Sequence, residues 1–124
     1  MSSISGWVKR STIQRKVSPT AILVGLPDDL AATCTEVLED GNIRVLRVGH
    51  VAAASERLPV VMPQLVVVTS STLGPQDDET LTDRCVAVGA ELLKLDPAME
   101  ARALRTTIQD AGTSALIRAL RRSG

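Results

Sequence analysis

Asp28, Asp29 and Asp96 are the carboxylates whose surroundings suggest chemistry, because each follows a short apolar run and lies beside a proline turn. If the topology brought them to one edge, three carboxylates could hold a divalent cation through oxygen ligands. The plainer reading, which the residue types favour, has Asp28 capping a helix or standing in its first turn and Asp96 accepting a hydrogen bond in its own turn. Thr69, Ser70, Ser71 and Thr72 form a hydroxyl cluster. Phosphorylation there would add roughly −2 of charge, but such clusters are also ordinary loop composition. His50 is the only histidine, so a nucleophilic triad has little to draw on. Following Gly49, it reads as a capping group. Cys34 and Cys85 sit among apolar neighbours and read as buried free thiols of a reducing compartment. One histidine and two distant cysteines do not make a metal site. Gly25-Leu26-Pro27-Asp28 lacks the spacing and the lysine of a phosphate loop. No enzyme activity, metal or cofactor is expected.

The elements that position these groups are legible. Leu65, Val66, Val67 and Val68 form an apolar run that ends in Thr69, with similar runs over Ala21 to Gly25 and Leu92 to Leu95, the last within a strand read over Glu91 to Leu95. Runs with no polar face read as parallel strands covered by helices on both sides. In such sheets ligands collect beyond the carboxyl ends of the strands. Arg44 to Val48 alternates charge with apolar residues, which suggests an edge strand. Between the strands lie helical patterns. One runs from Asp28 to about Asp40, with Leu30, Cys34, Val37 and Leu38 on one face and Gly41 as its left-handed end. A short one spans Val51 to Leu58. A third runs from about Asp77 to Val88, capped by Asp77 or Asp78 and closed by Gly89. A last one starts near Ala98, with Leu104, Ile108 and Ala111 buried and Gly112 as a break or a tolerated interruption. Strand and helix alternate with short connections, which predicts a doubly wound, three-layer α/β/α fold with about four parallel strands.

Composition bounds the rest. The chain has 124 residues, enough for one modest core, and Trp7 is its sole aromatic. Base stacking on aromatic platforms is therefore largely excluded. No apolar run approaches the roughly 20 residues of a membrane span, and residues 1–19 lack the apolar centre of a signal peptide. A cytoplasmic protein is expected. The net charge of zero is unevenly spread: Lys9, Arg10, Arg15 and Lys16 stand in a segment without acids, as do Arg118, Arg121 and Arg122. All 14 acids lie between, against 7 basic residues. The organisation expected is a flexible basic arm over 1–19, a domain over 20–112, and a basic amphipathic helix or tail over 113–124.

Three stretches carry a resemblance. "AILVGLPDD" sits like a first strand and its acidic turn, "PQLVVVTS" like a strand that ends in a phosphoacceptor, and "GAELLKLDP" like a Gly-Ala-Asp stretch leading to Lys-Pro. From Ala21 to about Ala111 the sequence resembles the receiver domain of two-component response regulators, as an atypical pseudo-receiver, and the resemblance implies a flavodoxin-like, receiver-like topology with the strand order 2-1-3-4. The resemblance puts the Mg²⁺-holding acidic pair at Leu26 and Pro27, the phosphoacceptor at Thr69, and the lysine at Asp96 before Pro97. Each of these positions departs from the residue type that phosphotransfer needs there. Asp96–Pro97 would be cis if the receiver pattern held throughout. The interval from Thr69 to Gly89 is also short. One strand–helix unit is lost or two are merged, and Thr69-Ser70 before Asp77-Asp78-Glu79 matches the fourth receiver strand equally well.

The function expected of such a chain is that of a non-catalytic, phosphorylation-independent signalling module that works by binding protein. Its expected surface is the last strand and helix with the tail: Leu116, Ile117 and Leu120 between Arg118 and Arg121, with Trp7 as a further anchor. The expected partner is a signalling protein or a second copy in a homodimer. The alternative is a small-ligand or ion sensor in the cleft at the strand ends. A nucleic-acid role through the basic ends is less favoured.

Overall fold

The computed structural model describes residues 19–69 and 74–123. Four strands, β1 (Thr20–Val24), β2 (Arg44–Val48), β3 (Leu65–Thr69) and β4 (Glu91–Leu95), alternate with helices α1 (Asp28–Asp40), α2 (Val51–Val61), α3 (Pro75–Val88) and α4 (Ala101–Ser123). All strand pairs are parallel and the order is β2-β1-β3-β4, as expected.

The period-two geometry of the central strands sorts their side chains into two cores. Ala21, Leu23, Leu65 and Val67 face α1 and α4, meeting Leu30, Cys34, Leu38, Ile108 and Ala115. Ile22, Val24, Val66 and Val68 face the other way, onto Ala54 and Leu58 of α2 and Leu81 and Cys85 of α3. This two-sided burial is why β3 has no polar residue before Thr69. β2 is an edge strand with Arg44 and Arg47 exposed.

Several local expectations are corrected. β1 ends at Val24, and Gly25 follows with φ 59. At the end of α1 the positive φ belongs to Asn42 (66), while Gly41 has φ −89. Asparagine tolerates that region because its short side chain bonds locally. α2 runs through Pro59 to Val61 and closes on Met62, whose N–H donates to Leu58. Pro59 has no N–H to donate to the Ser55 carbonyl, so the helix runs through it with one bond fewer. α3 starts two residues before Asp77, with Gly74 as its cap and Pro75 in the first turn, where a missing N–H costs nothing. Asp77 and Asp78 stand in that turn instead. The last helix begins at Ala101, not near Ala98, and continues unbroken through Gly112. The boundary expected at 112/113 therefore falls inside a continuous helix. The Asp96–Pro97 bond is trans.

Cys34 and Cys85 are both free and buried, one in each core. Burial pushes each thiol up to about 11. At pH 8 both should react with a disulfide reagent far more slowly in the native protein than in urea-unfolded protein, because the thiolate is the nucleophile. Rapid native labelling of either cysteine would contradict its burial.

Candidate functional site

The carboxyl edge of the sheet holds the residues that the sequence singled out, and each is there for a local reason. Leu26 follows β1 and is buried, filling the core beneath the turn rather than facing solvent. Pro27 is exposed and serves as the N-cap of α1; it offers no side-chain hydrogen bond. Asp28 and Asp29 fall in the first turn of α1, where the helix dipole favours negative charge. Thr69 ends β3 and is only 1% exposed, the one buried polar residue among those described. Asp96 follows β4, is exposed, and its Oδ1 accepts from the Ala98 N–H at 2.9 Å. Its carboxylate thus closes its own turn. Pro97 is exposed beside it.

Arg47 is the residue of this edge that the sequence did not reveal. Its guanidinium donates to the Leu26 carbonyl at 3.3 Å and to Asp28 Oδ1 at 2.6 Å. It ties β2 to the turn after β1 and occupies the carboxylate that a cation would have needed. The pair is largely exposed, so its contribution to stability is small. Lys94, the only lysine outside the first 16 residues, pairs with Asp78 of α3 at 2.6 Å. It is therefore committed two residues before the position where the receiver pattern has its lysine. His50 caps α2 through Nδ1, which accepts from the Ala53 N–H at 3.2 Å. Among the described residues no group of three or more His, Cys, Asp or Glu side chains could hold a metal ion. Ser70, Ser71 and Thr72 lie outside the described residues, as does Trp7.

No family model matches the chain, and no curated protein matches it. A solved structure does: the signal receiver domain of a putative Luxo repressor protein from Vibrio parahaemolyticus, at 16% identity and a TM-score of 0.56, covering 84% of this chain and 97% of that one. The fold is receiver-like. The likeness extends over most of the described residues and concerns the backbone arrangement.

On this receiver-like fold the residues expected at an interface fall on the second half of α4. Ile117 and Leu120 are exposed, 44% and 49% respectively, and Leu116 is half-buried. Ala115 and Ala119 form the buried side of the same turns. Arg118 reaches back to the start of β4, donating to the Gly89 carbonyl at 3.0 Å and standing 3.9 Å from Glu91. Arg121 is exposed. Among the described residues no helix is long and apolar enough to cross a membrane.

Proposed function

We propose that this chain is a non-catalytic signalling module that acts by binding protein, independently of phosphorylation. One observation carries the reading: the strand ends of a receiver-like fold present buried Leu26, exposed Pro27, buried Thr69 and a self-bonded Asp96, none of which supplies a metal-held phosphoacceptor. What such a molecule offers a partner is surface. The exposed Ile117 and Leu120 on α4, flanked by Arg118 and Arg121, are the apolar surface with a basic rim that an interface uses. The partner we favour is a second copy, joined through this side of α4.

Sedimentation equilibrium tests it, run with and without an acyl phosphate and Mg²⁺. Wild-type protein is expected to be dimeric in both conditions, and Ile117→Asp with Leu120→Asp to be monomeric. A charged residue at a desolvated contact costs several kcal/mol, so the change in dissociation constant should exceed about 100-fold. A wild type that dimerises only with the phosphodonor would overturn phosphorylation independence. A monomeric wild type would remove self-association, and dimers retained by the variant would move the contact off α4.

A further inference from the structure

Apart from those exposed residues, the molecule has a groove of about 430 Å³ where α4 crosses the end of α1. Leu38, Ile43 and Ile108 lie buried beneath its floor, the half-buried Leu116 supplies apolar lining, and Asp40 and Asp110 stand on its rim. Gly112 lets the two helices come this close, since a Cβ there would lie 3.0 Å from Ile43 Cδ1. Asp40 and Asp110 are exposed and have no ion-pair partner among the described residues. Asp40 also joins the groove to a depression on the outer side of α1, lined by Glu39, by Arg47 and by Glu36, which pairs with Arg105 at 2.8 Å. Leu116 is thus the apolar contact that the groove offers, and its edge is acidic.

The chain supplies a segment with the opposite character. Residues 1–18 hold Lys9, Arg10, Arg15 and Lys16 with no acid, and the apolar Ile4, Trp7, Val8 and Val17. They join the domain beside the groove: the Pro19 carbonyl accepts from the Arg44 N–H at 2.9 Å, and Ile43 of the groove is the residue before Arg44. Trp7 stands 12 residues before Pro19, a reach of up to about 40 Å. A segment tethered at the mouth of its site binds at a high effective concentration, so modest contacts suffice.

We propose that residues 1–18 of the same chain dock on the groove between α1 and α4, with Trp7 or Val8 on the apolar lining and the arm's cations against Asp40 and Asp110. The proposal has a readout separate from that of the dimer contact above. An occupied groove would also control access to Leu116, so a partner competing for that side of α4 would meet the arm first.

Trp7 is the only tryptophan and reports on this directly. In full-length protein its emission should be blue-shifted from that of a solvated tryptophan, and the shift should survive dilution. Asp40→Lys with Asp110→Lys should move the emission to the solvated position and speed tryptic cleavage after Lys9 to Lys16 roughly tenfold, since cleavage tracks the undocked population. High salt, which screens exposed pairs, should cause the same red shift in the unaltered chain, so a variant that failed to fold would leave the test intact. Asp77→Lys with Asp83→Lys, on exposed positions of α3 across the sheet, should leave the emission unchanged. A solvated emission in the wild type, or one unaffected by both the groove variant and salt, overturns the proposal. A shift lost on dilution means that the arm belongs to a second copy, and an equal red shift in the α3 variant means that overall charge acts rather than the groove; either result overturns it.

Discussion

Thr69→Asp is expected to gain no phosphoryl adduct from an acyl phosphate with Mg²⁺, and to lose about 3 kcal/mol of stability at pH 7, the equivalent of roughly two units of pKa shift. The substitution places a carboxyl group at the end of β3, where the present residue is 1% exposed. Burial disfavours the ionised form, so the carboxyl should titrate above its unfolded value. Among the described residues, the cations of this edge are already engaged. The Arg47 guanidinium already serves the Leu26 carbonyl and Asp28, and Lys94 serves Asp78. Leu26 and Pro27 hold no metal ligand. The sign of the pH dependence comes from proton binding. With the folded value raised, the folded state binds more protons than the unfolded chain above about pH 4. The variant's stability should therefore be nearest the wild type at or below pH 4 and fall as pH rises toward 7. Urea denaturation at pH 4 and pH 7, compared with the wild type, reads the difference. Equal losses at both pH values would mean a carboxylate that stays ionised and solvated in the fold, and Thr69 would then be accessible. An adduct in the intact mass would mean that the edge can assemble a phosphotransfer site after all, and the proposed function would fall.

The strands were legible because they depend on residue type alone, whereas their order followed from the resemblance to receivers. Leu65 to Val68 can be buried only from two sides, and the alternation of Arg44 and Arg47 with apolar residues needs an edge. The helical faces came from spacing: Leu30, Cys34, Val37 and Leu38 are all buried in α1. Where sequence and structure differ, two residues competed for one local role. Asn42 took the left-handed position expected of Gly41, and Gly74 with Pro75 began α3 ahead of Asp77. At the carboxyl edge, the sequence located the positions but not the partners. Arg47 bonds to Leu26 and Asp28 across 21 and 19 residues of chain, and the Gln64 side chain accepts from the Thr20 N–H across 44. No local pattern encodes such pairs. Gly112 belongs to the same class: along the chain it reads as a weak point in a helix, and only the neighbouring Leu38 and Ile43 give it a reason.

That reason makes a graded series at Gly112 informative. Gly112→Ala should be close to neutral, and Gly112→Val should destabilise by about 2 kcal/mol. Two effects oppose each other. Any side chain in place of glycine favours the helix, by up to about 1 kcal/mol for alanine and less for the β-branched valine. Against this, a Cβ would stand 3.0 Å from Ile43 Cδ1 and 3.1 Å from Leu38 Cδ2. Both contacts are the far ends of side chains, which can shift by a few tenths of an ångström for one methyl group. Ile43 and Leu38 are nevertheless only 3% and 1% exposed, so neither has room to clear the two further methyls of valine. The strain should open the side of the molecule where α1 meets α4. Cys34 lies in that core and Cys85 in the opposite one. In Gly112→Val, native thiol labelling followed by peptide mapping should therefore show Cys34 accelerated more than Cys85. Equal acceleration would mean global unfolding rather than separation of α4 from α1. If alanine and valine were equally stable, the close approach at Gly112 would not be what sets the spacing of the two helices.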